Sequence, residues 1–325
     1  MATTLPTTVL PTSVLPTSGH HSVHRTDDAA VRVRGLRKSY GTSTVVDGLD
    51  LDIARGEIVA MLGPNGAGKT TTIEILEGHR TRDGGQVQVL GEDPQTGGRL
   101  WRARIGVVAQ GSRTRADLTV AEELASTARY YPRPTDPEEL MDALGLTAHA
   151  RTRRGLLSAG QRRSLDLALG VVGRPEILFL DEPTTGLDPV ARRRCWELLR
   201  RLRRQGATVL LTTHDLDEAA RLADRVVVVD HGRVVADGPP DHLGRPEARV
   251  PVVTWQDGGG TRSQRTTTPT AMVIYLAAMG LDGTSGGEIP DLQVTRPTLE
   301  DVYLGLLTET TETTETTAAT EDFSP

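Results

Sequence analysis

GPNGAGKT, Gly63 to Thr70, is the stretch on which the reading of this chain turns. It follows an apolar run, Ile58 to Leu62, and precedes a helical run, Thr71 to Glu77. Strand, glycine-rich loop and helix in that order form the setting in which a backbone can wrap an anion. Gly63, Gly66 and Gly68 allow successive N–H groups to turn inward, and the helix N-terminus adds a partial positive charge. Lys69 brings a full charge to the β- and γ-phosphates of a nucleotide, and Thr70 a hydroxyl for Mg²⁺. Gly63, Pro64, Asn65, Gly66, Ala67, Gly68, Lys69, Thr70 and Thr71 are therefore expected to surround the phosphates.

Outward from this loop, short apolar runs alternate with helical patterns, the form of a mostly parallel sheet with helices on its faces. Ile58 to Leu62, Ile105 to Ala109, Ile177 to Leu180 and Val209 to Thr212 read as strands covered on both faces. Val31 and Val33, then Leu49, Leu51 and Ile53, alternate with polar residues, which predicts an antiparallel layer ahead of the parallel core. Helices are expected from Thr119 with Glu122 three residues on, from Pro137, and from Pro189 to about Arg204.

Beyond Asp237-Gly238-Pro239-Pro240 the texture changes to weaker strands and one apolar helix, Ala271 to Met279, broken by Gly258 to Gly260 and Gly286-Gly287. The expected division is a Thr/Pro-rich extension over 1–28, a main domain over 29–246, a small domain over 247–307 and a Thr/Glu tail over 308–325. The extension repeats LPTTV, LPTSV, LPTSG, where proline blocks helix and Thr and Ser offer little to bury, so disorder is expected. The tail carries five acidic residues, which leaves the rest near −1 out of a total of −6.

A near-neutral folded part argues against a nucleic-acid binder. No apolar run approaches the about 20 residues needed to cross a bilayer, so membrane association is expected through a partner. The single cysteine, Cys195, excludes an internal disulfide. Of 37 basic residues only Lys38 and Lys69 are lysines, which makes Lys69 conspicuous.

The run ILFLDE, Ile177 to Glu182, ends a strand with two carboxylates. An acidic pair at a strand end is by itself a solvated turn as readily as a reactive one; the phosphate loop upstream favours chemistry. Strand alternation predicts opposite orientations, with Asp181 holding the Mg²⁺ shell and Glu182 activating the attacking water. LSAGQ, Leu157 to Gln161, lies ahead of this pair and narrows the field. In motif order and spacing, from about Val31 to Leu243, the chain resembles the nucleotide-binding domains of ABC transporters. The implied fold is α/β: a P-loop NTPase with a RecA-like, mostly parallel sheet, an antiparallel β layer and a helical subdomain, plus a small C-terminal α+β domain.

The resemblance implies roles by position. Ser158, Gly160 and Gln161 cap the ATP held by a second copy; Ala159 stands where the common pattern has glycine. Gln110 touches Mg²⁺ or the attacking water, and the loop Gly111 to Leu118 faces a membrane subunit. His214 holds the γ-phosphate and Glu182 in line, Asp188 couples the two sites, and Tyr40 stacks on adenine, although it could equally pack on the antiparallel layer. RPTLEDVYLGLL, Arg296 to Leu307, with ILEGHR, Ile75 to Arg80, is similar to the daunorubicin-resistance type of drug-export ATPase. Leu299, Val302, Tyr303 and Leu306 could also be just the apolar face of a terminal helix.

The expected function is ATP hydrolysis that powers efflux of a drug, antibiotic or other small hydrophobic compound. A separate multi-span permease and a second copy of this chain are the expected partners, at the cytoplasmic face of the membrane. The alternative is a soluble ATPase of the same type acting on nucleic acid or the ribosome. A single cassette and a single cysteine count against it. A P-loop kinase or GTPase leaves LSAGQ and His214 without a role, and the NKxD base-recognition pattern of GTPases is absent from the sequence.

Overall fold

The computed structural model describes residues 29–109, 117–244, 246–279 and 288–307. Gln110, residues 111–116 of the loop after it, the extension 1–28 and the tail 308–325 lie outside the described residues.

Strands β1 (Ala29–Tyr40) and β2 (Ser43–Ala54) pair antiparallel, setting Val31 against Ile53, Val33 against Leu51 and Leu36 against Leu49. These are the alternating apolar positions, all buried. Strand β3 (Ile58–Leu62) is buried at every residue and runs through the glycine-rich loop into α1 (Lys69–Leu76). Strand β4 (Gly84–Val89) then returns to the other edge of β1, giving a sheet ordered β2-β1-β4.

The short helix α2 (Arg99–Arg102) leads to β5 (Ile105–Val108). Helices α3 (Val120–Ala128), α4 (Pro137–Ala143) and α5 (Ala159–Val171) follow. Their starts are written in polar side chains. Thr119 and Glu122 close a capping box on α3, Asp136 caps α4 ahead of Pro137, and Ser158 and Gln161 close a second box on α5. The chain continues through β6 (Ile177–Asp181), α6 (Pro189–Arg204), β7 (Thr208–Thr212), α7 (Leu216–Leu222), β8 (Arg225–Asp230) and β9 (Arg233–Gly238). The main sheet is ordered β5-β6-β7-β3-β8-β9, parallel throughout except for β9.

Alternation along these strands divides the core in two. Ile58, Leu178, Leu180, Val209 and Val226 face a cluster shared with α3 to α7, whereas Met61, Phe179, Leu210 and Val227 face the antiparallel layer and α1. Because both faces are covered, the candidate groups emerge where parallel sheets present them, at the carboxyl ends of β3, β6 and β7.

Residues beyond β9 build a second, three-stranded sheet from β10 (Val252–Asp257), β11 (Gly260–Arg265) and β12 (Gln293–Thr295), with α8 (Pro269–Met279) against it. Val253, Trp255 and Leu276 form its small core. The final helix, residues 299–307, does not join that core: Leu299, Tyr303 and Leu306 pack on the main cluster. Among the described residues no helix is long and apolar enough to cross a membrane.

One buried acid gives this fold a pH dependence. Glu77, at the end of α1, is 6% exposed and hydrogen-bonds the Nδ1 side of His79 at 3.0 Å. Burial pushes its carboxyl up to about 7 against the opposing pull of His79, with Glu74 and Asp181 adding to the rise. In the unfolded chain the same group titrates near 4.5, so the folded state binds the extra proton between those two values. This contribution to stability is therefore complete below pH 4.5 and lost as pH rises through about 7. Glu77→Gln keeps the hydrogen-bonding shape and removes the ionisation. Its urea midpoint is expected to exceed that of the wild type above pH 7, by a free energy on the order of 3 kcal/mol, and to converge with it toward pH 4.5. Parallel midpoint curves across that range contradict this assignment.

Candidate functional site

The loop after β3 is held open by its neighbours. Gly68 has φ of +97°, and a Cβ there would lie 2.5 Å from the Val45 carbonyl oxygen of β2, so only glycine fits. Ala67 N–H donates to the Pro64 carbonyl at 3.2 Å, closing the turn around exposed Asn65 and Gly66. Lys69 is 9% exposed, and its ammonium donates to the carbonyls of Gly63 at 2.8 Å and Pro64 at 2.9 Å. Burial lowers its pKa while Glu182 and Asp181 raise it, which places a cation at the mouth of the loop opposite two acids. Thr71 is half-buried in the first turn of α1.

Thr70, next along the helix, reaches those acids directly: its hydroxyl lies 3.2 Å from Asp181 Oδ2. On the far side the Thr212 hydroxyl donates to Asp181 Oδ1. The same Thr212 oxygen accepts the N–H of Glu182 at 3.1 Å, so one side chain at the end of β7 orients both acids. The acids separate for a different reason from simple alternation. Strand β6 ends at Asp181, and Glu182 takes a positive φ of 51°, a left-handed conformation unusual for a side chain of its kind. Its carboxylate is held at both oxygens. Thr185 Oγ1 donates to Oε2 at 3.2 Å, and His214 Nδ1 lies 3.2 Å from Oε1. The His214 side chain is 64% exposed and that of Glu182 20%, so this pair borders solvent. A carboxylate fixed in this way can accept a proton from water. Thr70 and Asp181 offer oxygen ligands of the kind that suit a hard cation.

A second group of candidates lies elsewhere. Ser158, Gly160, Gln161 and Asp188 line a pocket of about 420 Å³ together with Gly186 and Arg194. Ser158 N–H donates to Gln161 Oε1 at 2.9 Å, and Gln161 Nε2 lies 2.9 Å from His149 Nε2, so both ends of that amide hold the loop in shape. Ala159 sits at the first helical position of α5, without positive φ, so alanine there carries no backbone strain. Gly160 lies close to the neighbouring loop: a Cβ there would sit 3.2 Å from the Gly186 carbonyl oxygen, a tight contact. Asp188 caps α6, accepting from Val190 N–H at 2.8 Å and Ala191 N–H at 2.9 Å. Among the described residues no hydrogen bond joins Ser158, Gly160 or Asp188 to Lys69, Thr70, Glu182 or His214.

Tyr40, at the tip of the β1–β2 hairpin, is 41% exposed. Its ring lies 5.5 Å from the Lys38 ammonium and 5.3 Å from the Arg80 guanidinium. Gln110 falls outside the described residues, one position after Ala109. Sequence reasoning passed over Thr212, Thr185 and Arg163. The first two lie within three residues of His214 and Glu182, a proximity that was available as a signal, whereas nothing distinguishes Arg163 among the other arginines.

Comparison with known proteins gives the family. The family described as "ABC transporter" matches residues 46–185, and an AAA domain family matches residues 154–219. Nod factor export ATP-binding protein I of Paraburkholderia xenovorans (strain LB400) is 44% identical over 222 residues, covering 66% of this chain and 73% of the relative. Its counterpart from Rhizobium johnstonii is 42% identical over 229 residues, 69% of this chain and 74% of that one. Among solved structures, an ATP-binding subunit of an ABC transporter superposes with a TM-score of 0.61 at 28% identity, covering 65% of this chain and 90% of its own. A dimeric ATP-binding cassette carrying ADP and phosphate superposes with a TM-score of 0.59 at 23% identity, 64% of this chain and 98% of its own, which speaks to the fold. Identity at this level across almost three quarters of the relatives' length, on this sheet and this loop, makes the chain a member of the ATP-binding, ATP-hydrolysing subunits of ABC transporters.

Proposed function

We propose that two copies of this chain close around two ATP molecules and thereby drive an exporter whose membrane-spanning permease is a separate polypeptide. The observation that carries this reading is the division of the candidate groups. Thr70, Asp181, Glu182 and His214 are joined through Thr212 into one hydrogen-bonded network within electrostatic reach of Lys69, while Ser158, Gly160 and Asp188 line another surface. A second copy, related by a two-fold axis, supplies the missing half to each nucleotide.

In this reading the loop Gly63–Thr71 and the Lys69 ammonium hold the phosphates, Tyr40 stacks on the base, and Thr70, Asp181 and Gln110 hold Mg²⁺. The ion neutralises phosphate charge when bound. Glu182 takes the proton of the attacking water, with His214 and Thr185 fixing its carboxylate. Ser158 and Gly160, at the N-terminus of α5, present a hydroxyl and N–H groups to the γ-phosphate of the other copy, and Gln161 keeps that loop in shape. Binding closes the pair and moves the permease; hydrolysis reopens it. The similar proteins named for Nod factor export support outward transport. The similarity of RPTLEDVYLGLL and ILEGHR to drug-export ATPases supports a drug, antibiotic or other small hydrophobic cargo. The permease would hold the chain at the cytoplasmic face of the membrane, and its copurification from gently solubilised membranes checks this placement. The units over 29–246 and 247–307 are proposed as the two domains, the final helix of the second packing on the core of the first.

Two experiments test the reading. Glu182→Gln is expected to bind ATP as the wild type does while turnover falls about 10²- to 10⁴-fold; undiminished hydrolysis removes Glu182 from its role. Lys69→Ala and Ser158→Arg are each expected to be inactive alone, whereas mixing them forms pairs with one intact composite pocket and restores turnover. If the mixture stays as inactive as its components, the shared pocket is wrong.

A further inference from the structure

We propose that Arg163 is a positioning residue for hydrolysis, whose guanidinium fixes the backbone turn that carries Glu182 and ties it to the helix that begins at Ser158. The inference rests on the assignment of Glu182 made above. Arg163 lies in α5, five positions after Ser158. Its donors go entirely to backbone carbonyls among the described residues. Nε reaches Pro183 at 3.2 Å, Nη1 reaches Ala109 at 2.8 Å, and Nη2 reaches Glu182 at 3.0 Å and also Asp181.

Three of these carbonyls belong to consecutive residues. In an extended strand successive carbonyls point to opposite sides, so one cation cannot collect three in a row. Here it can, because the chain leaves β6 at Asp181 and Glu182 turns with φ of 51°. Convergence of three carbonyl oxygens is electrostatically unfavourable unless a donor-rich cation sits among them. The planar guanidinium, with five N–H donors on one rigid fork, suits that task where an ammonium or an amide does not. Charge-assisted hydrogen bonds of this kind are the stronger class.

The fourth carbonyl widens the role. Ala109 directly precedes Gln110, so one side chain spans the ends of β5 and β6 and the helix that presents Ser158. A shift of α5 as Ser158 engages the other copy's nucleotide is transmitted through one turn of rigid helix to the backbone of Glu182. No comparably direct hydrogen-bonded link from α5 to this turn exists among the described residues.

The test compares Arg163→Gln and Arg163→Lys with wild type and with Glu182→Gln, measuring Mg-ATP affinity, steady-state kcat and the thermal unfolding midpoint. Arg163→Gln is expected to bind Mg-ATP with wild-type Kd and to lose kcat by about 100-fold, the scale of a misplacement near 1 Å. Arg163→Lys keeps the charge and the stem but not the fork, and is expected to lose kcat by about tenfold with binding intact. This variant carries the comparison should the glutamine variant fail to fold. Introduced into Glu182→Gln, Arg163→Gln should lower the residual single-turnover rate little further, because the group it positions is already gone. Wild-type kcat in the lysine and glutamine variants, a loss of Kd equal to the loss of kcat, or a further hundredfold loss in the double variant overturns the proposal. Full turnover in Glu182→Gln removes the Glu182 assignment and this proposal with it, whereas a loss there with none in the Arg163 variants removes this proposal alone.

Discussion

The strand Ile177–Asp181 is the constraint from which the rest of the structure is built. It is hydrogen-bonded on both edges, to β5 and β7, and buried on both faces, so its carboxyl end has no freedom to wander. Asp181 therefore projects at a fixed point between Thr70 on one side and Thr212 on the other. Each of those threonines belongs to an element set by its own hydrophobic packing, α1 against the antiparallel layer and β7 within the central sheet. A displacement of this strand end would be felt by the polar groups bonded to it, because the hydrogen bonds there are shared rather than independent.

Much of the fold was legible because its signals are local. Alternation of Val31, Val33, Leu49, Leu51 and Ile53 is a property of two strands, and continuous apolar runs such as Ile58 to Leu62 report burial on both faces. Helix starts at Thr119, Pro137 and Pro189 were marked locally, by a capping box or a first-turn proline, and the caps Thr119, Asp136 and Asp188 bond backbone three residues away or fewer. What escaped reading depends on distance in the chain. Thr212 meets Asp181 across 31 positions and Arg163 meets Glu182 across 19. Neither pairing leaves a periodicity or a spacing in the sequence. The turn at Glu182 shows the same limit. Alternation expects it to point away from Asp181, but the strand has already ended there and the left-handed turn of the backbone, which alternation cannot foresee, is what separates the two acids. The terminal helix is a further case: its apolar face was plain, but that this face meets the main core rather than the small sheet is a long-range packing fact.

The helical layer that carries Ser158 is stiffened from within. Arg154, four residues ahead of Ser158, is buried with Glu123 of α3 at 3.3 Å and with Asp166 of α5. Buried ion groups of this kind contribute little net stability over an apolar replacement, but removing one partner leaves a charge stranded at a cost of about 3–5 kcal/mol. Their effect is to fix α3 and α5 as one unit. This layer meets the sheet through a broad apolar core, and Arg163 adds direct hydrogen bonds from α5 to the backbone after β6.

The scarcity of lysine has a practical corollary. The chain offers only two side-chain amines. Lys38 is ion-paired with Asp83 at 2.7 Å with a side chain 12% exposed, and Lys69 is turned inward onto its own loop. Reagents and enzymes that tag lysine side chains therefore find almost no exposed target. Any such label that does attach at Lys69 lands in the loop proposed to grip the triphosphate.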